Sequence, residues 1–468
     1  MRAWGGRGAG VVRNSWLGSA RRIAPLAWPV FIGQVAVLAF GTIDTIMVAR
    51  YAALDLAALA IGGAAYITVF VGLMGVVLAV APIVGQSFGA GKLAECGRQL
   101  QQSMWLALAL SVVGCAVLLF PQPFLSLSHA GPEVSAKVRG YLGALAFALP
   151  PALLFTAFRG FNTAVSRPRI VMLLQLAALL LKVPLTALLV FGFTLPTGLG
   201  EWRFEALGAP GCGAATAIVM ALQMLAAWWV LRHDPFYAAF ALGRRWRAID
   251  RASLAAMLRL GLPIGLSLTI EVSGFTFMAF FISRIGATPV AGHQIALNLV
   301  SMMFMLPLAI GNAASTLVAQ RIGWHALELG VLIAVSLGAV VYLLRGPILH
   351  LYTHDASIIE AALPLLAWVV VFHTADAAQT VAAFVLRAYR IATAPMVIYA
   401  IAIWGVGLGG GYAVAFNTTG LSPAWLRGSQ GFWSAATSGL VVAALGMSGF
   451  LMWVLRQQPS SRALDPQR

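Results

Sequence analysis

Residues 57–82 read AALAIGGAAYITVFVGLMGVVLAVAP, a stretch without a single charged side chain. A helix of about 20 apolar residues crosses the ~30 Å hydrocarbon core of a bilayer, so this stretch is long enough to span one. It lacks the ~10-residue alternating pattern that is typical of an outer-membrane barrel. Because every backbone donor and acceptor in lipid must be satisfied within the segment, the stretch predicts a transmembrane α-helix.

Stretches of the same kind recur along the whole chain. Of its 468 residues, 60% are hydrophobic and 9% are charged, and the mean hydropathy is +0.89. An ordinary soluble domain carries about 25% charged residues. The sequence therefore predicts an all-α integral membrane protein. Its twelve expected spans are 23–48, 57–82, 102–121, 138–157, 170–193, 211–231, 257–283, 290–318, 327–349, 358–386, 395–416 and 431–455.

The distribution of basic residues predicts the orientation of these spans. The net charge is +16, but the basic side chains lie in short loops rather than on one amphipathic face or in one tail, so nucleic acid is not an expected partner. Lys and Arg are concentrated in the N-terminal segment and in alternate loops. By the positive-inside rule both termini are expected in the cytoplasm. We expect a multi-pass protein of the inner membrane, surrounded by membrane lipids and working as a monomer.

The two halves of the chain resemble each other. Residues 26–89 align with residues 260–323 without a gap, and further on Arg159-Gly-Phe parallels Arg387-Ala-Tyr. Each half contains an even number of spans, so the halves share one orientation and are related by an axis along the membrane normal. Chance similarity between helices rich in Ala, Gly and Leu is the alternative.

This repeat divides the chain into two parallel six-helix lobes. The linker between them contains the loop that is richest in arginine. The expected segments are a cytoplasmic N-terminal tail at 1–22, an N-lobe at 23–235, a cytoplasmic inter-lobe linker at 236–256, a C-lobe at 257–456 and a cytoplasmic C-terminal tail at 457–468.

Four charged side chains fall well inside apolar stretches, namely Asp44, Lys182, Glu271 and Asp376. A charge at the bilayer centre costs about 2.5–3.5 kcal/mol on insertion scales, so such groups normally face the protein interior and have a role. A buried carboxylate can exchange a proton or Na⁺ for a cationic substrate. Glu271, Asp376 and Asp44 are therefore candidates for cation coupling. The alternative is that an acid only bonds to a neighbouring helix and ties the two together.

Two prolines are candidates for hinges. Pro29 lies inside the first span and Pro263 inside the seventh, at positions that the repeat pairs with each other. Each removes one backbone hydrogen bond, which predicts a kink. Ordinary helix packing is the alternative reading of both residues.

A set of large apolar side chains accompanies the C-lobe acids. Phe275, Phe372 and Met302 belong to it, and they are candidates for an apolar cavity that holds organic cations. Aromatic rings attract such cations through their negative faces.

Other classes of function lack their signatures. Cys96, Cys115 and Cys212 do not have metal-ligand spacing, and His350 with His354 lacks an evident third ligand. We therefore expect no metal site, no enzymatic activity and no cofactor other than a coupling ion. No GxxxxGK[ST] loop occurs, so we do not expect ATP to drive transport within this chain.

Several motifs resemble those of the MATE (multidrug and toxic compound extrusion) family, in its bacterial NorM-like branch. The resemblance extends over about residues 20–455. The matching stretches are FGTIDTIMVAR at 40–50, APIVGQSFGAGK at 81–92, LRLGLPIGLSLTIEVSGF at 258–275, VAGHQIALN at 290–298 and DAAQTVAAFVLRAYR at 376–390.

The resemblance implies a cation-coupled antiporter. In it, two six-helix lobes rock about a central cavity and export cationic, amphiphilic drugs or toxic organic compounds in exchange for Na⁺ or H⁺. Carried over by motif, Asp44 is the N-lobe acid, and it is also expected to contact substrate. Glu271 and Asp376 are the C-lobe cation-site acids, Phe372 is an aromatic neighbour of that site, and Gln294 lines the cavity.

The fifth span departs from the family pattern. In the family an Asn commonly precedes the proline of this helix by two residues, and an Asn or Asp follows it by two. Here the stretch LLKVPLTALL at 180–189 places Lys182 and Thr186 at these positions. Lys182 would pair with Asp44 as an internal cation, which would modulate the N-lobe and leave coupling to the C-lobe acids. The alternative is that Lys182 snorkels to an interface.

A transporter of the same fold with one dedicated metabolite or lipid-linked substrate is the competing hypothesis for the function. The three buried acids favour small organic cations as cargo. An anionic lipid cargo would require several cavity arginines, and Lys182 is the only base at the centre of a predicted span.

Overall fold

The computed structural model describes residues 16–128, 131–197, 200–242, 247–318 and 323–457. Twelve helical segments in these ranges are long and apolar enough to cross a membrane, which confirms the twelve expected spans. Most of both predicted tails and part of the predicted linker lie outside the described residues.

The N-lobe contains six of the spans. Its second span is formed by two helices, α2 and α3, which meet at a turn, and the short helix α5 follows the third span. The helices are α1 (Trp16–Tyr51), α2 (Ala53–Val77), α3 (Val80–Gly89), α4 (Leu93–Leu119), α5 (Gln122–Ser128), α6 (Pro132–Ala164), α7 (Pro168–Phe191) and α8 (Ala209–His233).

The C-lobe contains the other six. Its fifth span is composite, because a π-helix at Ile401–Gly409 joins α14 to α15. The helices are α9 (Arg251–Ser283), α10 (Ala287–Val318), α11 (Gly323–Leu343), α12 (Arg345–Tyr352), α13 (Ala356–Ala388), α14 (Thr393–Ala400), α15 (Gly410–Ala415) and α16 (Ser429–Gln457).

Local sequence explains where several helices begin. Pro132 and Pro168 start α6 and α7, the position at which a missing N–H removes no helical bond. Asp250 caps α9 by accepting a hydrogen bond from the Ala252 amide at 3.1 Å. The seventh span therefore begins at Arg251, inside the segment that the sequence assigned to the linker.

The twelve-helix, all-α membrane fold is confirmed, and a short β-hairpin lies in one connection between the spans. Strand β1 (Phe193–Thr197) pairs with β2 (Gly200–Phe204) in antiparallel register, and the stacked rings of Phe193 and Phe204 have centroids 5.4 Å apart. The hairpin fills the connection between the fifth and sixth spans. It is too short to cross a membrane as a strand, which needs about 9–11 residues.

The two lobes meet at the end of the bundle where α1 begins, which we call the linker end. There α2 packs on α9 at a glycine pair, since a Cβ atom on Gly75 would lie 2.5 Å from the Gly265 Cα. Small residues of this kind allow two helix backbones to approach closely. The lobes are therefore in direct backbone contact on this side.

Hydrogen bonds reinforce the contact at the linker end. The Gln86 side chain donates to the Ala388 carbonyl at 2.9 Å, and the Thr316 hydroxyl donates to the Thr163 carbonyl at 3.0 Å. The Arg98 guanidinium forms a 3.0 Å ion pair with the helix-capping Asp250. These bonds join the N-lobe to the C-lobe and to the start of α9.

Asp250 is held in its charged form by its neighbours. The hydrogen bond from the Ser253 hydroxyl is the largest cause that lowers the pKa of Asp250, and the Ala252 amide and Arg98 act in the same direction. An ionised Asp250 keeps both its cap of α9 and its bond to Arg98 at neutral pH.

Candidate functional site

A cavity of about 850 Å³ lies between the two lobes. Helices α1, α2, α6 and α7 line it from the N-lobe, and α9, α10, α13 and α14 line it from the C-lobe. Its volume lies within the roughly 300–1,000 Å³ range of pockets that hold small organic ligands. At the linker end the lining residue Thr163 accepts the inter-lobe bond from Thr316, and the Gln86–Ala388 bond lies one residue beyond the lining residue Arg387, so the lobes are joined at that end of the cavity.

Two of the predicted acids lie in the C-lobe wall of the cavity. Glu271 comes from α9 and Asp376 from α13, and the structure brings both into one lining. The Gln379 amide donates to Asp376 at 2.9 Å and to the Tyr399 hydroxyl at 3.1 Å. Tyr399 is also close enough to Glu271 for the two side chains to interact electrostatically. Glu271 and Asp376 are therefore linked through one polar network.

Gln379 and Tyr399 were not singled out by the sequence. For Gln379 the sequence contains one signal, because this residue follows the candidate acid Asp376 by one helical turn on α13. Tyr399 lies on another span, α14, and its approach to the acids depends on tertiary packing.

Two arginines also line the cavity, Arg159 from α6 and Arg387 from α13. They are the residues that the internal repeat pairs with each other. Both stand just beyond the predicted spans 138–157 and 358–386, whereas α6 and α13 continue past both positions. Lys182 is the only base at the centre of a predicted span, but the basic side chains that line the cavity are Arg159 and Arg387.

The charges around the cavity are balanced. Its lining contains the carboxylates Glu271 and Asp376 and the guanidinium groups Arg159 and Arg387. Arg387 is close enough to Glu271 for the two charges to attract each other, and it also covers the Phe384 ring at 4.9 Å. Both acids and one arginine thus belong to the C-lobe wall, and a single arginine belongs to the N-lobe wall.

The third predicted acid, Asp44, lies outside this lining and in an ion pair. The Lys182 Nζ atom is 2.9 Å from the Asp44 Oδ1 atom, and the side chains are 0% and 12% exposed. Lys182 also donates to the Thr216 hydroxyl and, at 3.5 Å, to the Cys212 carbonyl. The ammonium group thus has one ion-pair partner, Asp44, and two hydrogen-bond acceptors.

This geometry contradicts the alternative in which Lys182 snorkels to an interface. Its side chain has no exposed surface, and α1, α7 and α8 enclose it. The pairing of Lys182 with Asp44 that the sequence suggested is present. Thr186, one turn further along α7, is fully buried and its hydroxyl has no hydrogen-bond partner among the described residues.

The remaining predicted residues divide into two groups. Pro29, Phe275 and Gln294 line the cavity. Met302 is 52% exposed on a different face of α10, and Phe372 is 1% exposed behind Phe275, so neither is part of the lining. Helical spacing explains the difference for Met302, because Ser301 and Met305 are one turn apart on the cavity face and Met302 is rotated away from them.

Pro263 also lies outside the cavity lining. The helices that contain Pro29 and Pro263, α1 and α9, are continuous through both residues. Hinge motion at these prolines stays a prediction.

The MatE family model matches residues 29–188 and 263–413 of the chain. The matched ranges contain Asp44, Lys182, Glu271 and Asp376, and one range falls in each lobe.

Bacterial proteins with related sequences match over nearly the whole length. One from Aromatoleum aromaticum, named "probable multidrug resistance protein NorM", is 38% identical over 94% of this chain and 96% of its own length. Another from Pseudomonas aeruginosa, named multidrug resistance protein PmpM, is 33% identical over 91% of this chain and 89% of its own.

Solved structures share the fold at lower sequence identity. The crystal structure of the eukaryotic MATE transporter AtDTX14 superposes with a TM-score of 0.81 at 17% identity, covering 93% of this chain and 96% of that one. The Vibrio cholerae MATE transporter VcmN in its bent form gives 0.79 at 16% identity, covering 94% and 98%.

Proposed function

The chain belongs to the MatE family, and from this premise we propose that it is a secondary antiporter that exports cationic, amphiphilic drugs or toxic organic compounds in exchange for Na⁺ or H⁺. The single observation that carries the proposal is the inter-lobe cavity with Glu271 and Asp376 in its wall. The names of the bacterial relatives, which describe multidrug resistance proteins, support the same function.

Competition for the two carboxylates supplies the coupling. A protonated or Na⁺-bound Glu271 has no net charge to offer an organic cation, and an organic cation bound there excludes the small ion. A carboxylate left without a cation in a low-dielectric site is unfavourable. One cation or the other therefore occupies the pair in each half of the cycle, which produces exchange rather than leak.

Rocking of the lobes supplies alternating access. With the termini in the cytoplasm, as the basic loops predict, the linker end is the cytoplasmic end. Its inter-lobe bonds then close the cavity to the cytoplasm, and the conformation is outward-facing. We place the protein in the inner membrane and treat the single chain as the working unit.

The N-lobe pair gives the coupling its asymmetry. Lys182 occupies the place beside Asp44 that a mobile cation would otherwise take, and it cannot leave because it is tethered to α7. In this proposal Asp44 therefore takes no part in ion exchange or substrate binding, and the C-lobe acids alone couple transport.

Dye efflux from vesicles tests the proposal. The purified protein is reconstituted into lipid vesicles, and the vesicles are loaded with a cationic dye. Either a Na⁺ gradient or a pH gradient is then imposed across the vesicle membrane. We expect efflux under one of the two gradients and none without a gradient. Efflux that ignores both gradients would contradict a secondary antiporter.

A further inference from the structure

Arg159 is a cavity cation without an anionic partner. Among the residues that the structure describes, no carboxylate forms an ion pair with it. Its contacts are the Gln34 Oε1 atom at 3.4 Å and the Met74 Sδ atom at 3.3 Å. An amide oxygen at that distance and a thioether are weak acceptors, whereas a guanidinium group presents five donors.

The repeat-related arginine in the other lobe is in a different situation. In the described part of the chain Arg387 also forms no ion pair, but it lies on the Phe384 ring and near enough to Glu271 for the two charges to attract, so its charge is partly compensated within the protein. The N-lobe acid that is available for comparison, Asp44, is already paired with Lys182 and is not part of the cavity. The uncompensated positive charge of the cavity is therefore located at Arg159.

A charge in a partly apolar cavity is stabilised when it is paired or hydrogen-bonded. The planar fork of a guanidinium group matches the two oxygens of a carboxylate. Gln34 accepts from Arg159 through its oxygen, so its Nε2 group remains a donor toward the same anion. Gln34 and Arg159 both line the cavity, and together they form a site for one carboxylate.

We propose that Arg159, supported by Gln34, binds the carboxylate of zwitterionic amphiphiles while Glu271 and Asp376 bind the ammonium or other cationic group of the same molecule. This inference rests on the proposed function and narrows its substrate class. A zwitterion compensates both walls at once, the positive N-lobe wall and the acidic C-lobe wall. A simple cation leaves Arg159 uncompensated.

Equilibrium binding of two dyes tests the carboxylate site without requiring transport. Tetramethylrhodamine carries a carboxylate beside its cationic ring system, and its methyl ester differs only in lacking that negative charge. Fluorescence anisotropy with the purified full-length protein gives a Kd for each dye. Arg159→Gln is expected to raise the Kd of the free acid relative to that of the ester by about ten-fold or more, because a charged hydrogen-bonded pair is lost.

Two further variants make the result specific. Arg159→Lys keeps the charge but loses the fork, so its ratio of the two Kd values is expected between those of the wild type and Arg159→Gln. Arg139→Gln is the matched control, since Arg139 lies on the same helix, is exposed and bonds only to Gln122 at 3.2 Å. Its ratio is expected to equal that of the wild type.

An unchanged ratio in Arg159→Gln overturns the proposal. An equal loss of affinity for both dyes also overturns it, since this indicates a structural role or a nonselective anion site such as one for a lipid phosphate. Failure of the proposed function is seen separately. If the wild-type protein binds the two dyes selectively but exports neither under any ion gradient, the carboxylate site is supported and the proposed antiporter function is contradicted.

Discussion

The two lobes bury their acidic residues in opposite ways. In the N-lobe, Asp44 is paired with Lys182 and enclosed by three helices. In the C-lobe, Glu271 and Asp376 are in the cavity wall, and Gln379 and Tyr399 hold them in a network that has no lysine. The same helical scaffold thus carries one acid that is paired with a lysine inside its lobe and two acids that line the cavity between the lobes.

Two lobes of the same fold thus differ in the chemistry of their buried acids. Removal of one partner of a buried ion pair strongly destabilises the folded protein, because the other charge stays buried without compensation. Lys182 and Asp44 therefore depend on each other. In the proposed function the C-lobe acids depend instead on a cation that arrives through the cavity. In the proposed function only the C-lobe couples transport, and the variants below test this difference between the lobes.

The largest expected effect is that of Glu271→Gln. The substitution keeps the shape of the side chain and removes the charge that binds the coupling ion, so gradient-driven efflux should fall to the background of protein-free vesicles. Glu328→Gln is the matched control, because Glu328 is exposed on α11. Normal expression with unchanged efflux would remove Glu271 from the coupling site.

The next effect is that of Lys182→Asn, which leaves Asp44 buried without its cation. Breaking a buried pair costs about 3–5 kcal/mol in the free energy of unfolding. We expect the thermal stability of the purified variant to drop and to recover in part with Na⁺ or at acidic pH, because either cation replaces the ammonium group. Efflux should acquire an additional dependence on the same ion.

Two further variants are needed to interpret the result for Lys182→Asn. The double variant Asp44→Asn with Lys182→Asn removes both charges and should recover most of the lost stability. Lys92→Gln is the control, since Lys92 is exposed at the start of α4. If the single variant Lys182→Asn is as stable as the wild type and its efflux depends on Na⁺ and pH in the same way, the pair does not cause the functional difference between the two lobes.

The sequence predicted the fold well because the insertion of a helix into lipid is governed by local hydrophobicity. It also found Asp44, Glu271 and Asp376, since a charge inside an apolar stretch is conspicuous. Arg159 and Arg387 were overlooked for the same reason. They stand near the ends of predicted spans, where arginine is ordinary, and only the continuous helices and the joined linker end place them in a cavity.

Contacts between distant elements were beyond sequence reasoning. Tyr399 reaches Glu271 from a different helix, and Phe372 and Met302 could not be assigned to a helix face without the packing of their neighbours. The β-hairpin was missed because its strands are only five residues each and interrupt a connection between two spans.

A smaller effect is expected for Tyr399→Phe. The Tyr399 hydroxyl accepts from Gln379 at 3.1 Å and reaches Glu271, so the change loosens the C-lobe network without removing a charge. The loss of one such bond is worth about 0.5–1.5 kcal/mol. The apparent KM for the driving ion should rise by about two-fold to ten-fold. Tyr412→Phe, at a side chain 38% exposed and outside the cavity lining, should leave that KM unchanged.

The smallest effect, and one of opposite sign, is expected for Thr186→Val. The Thr186 hydroxyl is buried in the N-lobe without a hydrogen-bond partner in the described part of the chain. Valine has a similar shape and nothing to desolvate, so the free energy of unfolding should rise by about 1 kcal/mol. Thermal unfolding of the purified protein measures this change. Lower stability, or an altered Na⁺ or pH dependence of efflux, would mean that the hydroxyl binds an ion beside Asp44. The N-lobe would then be a second coupling site, and Lys182 a mobile rather than a permanent partner.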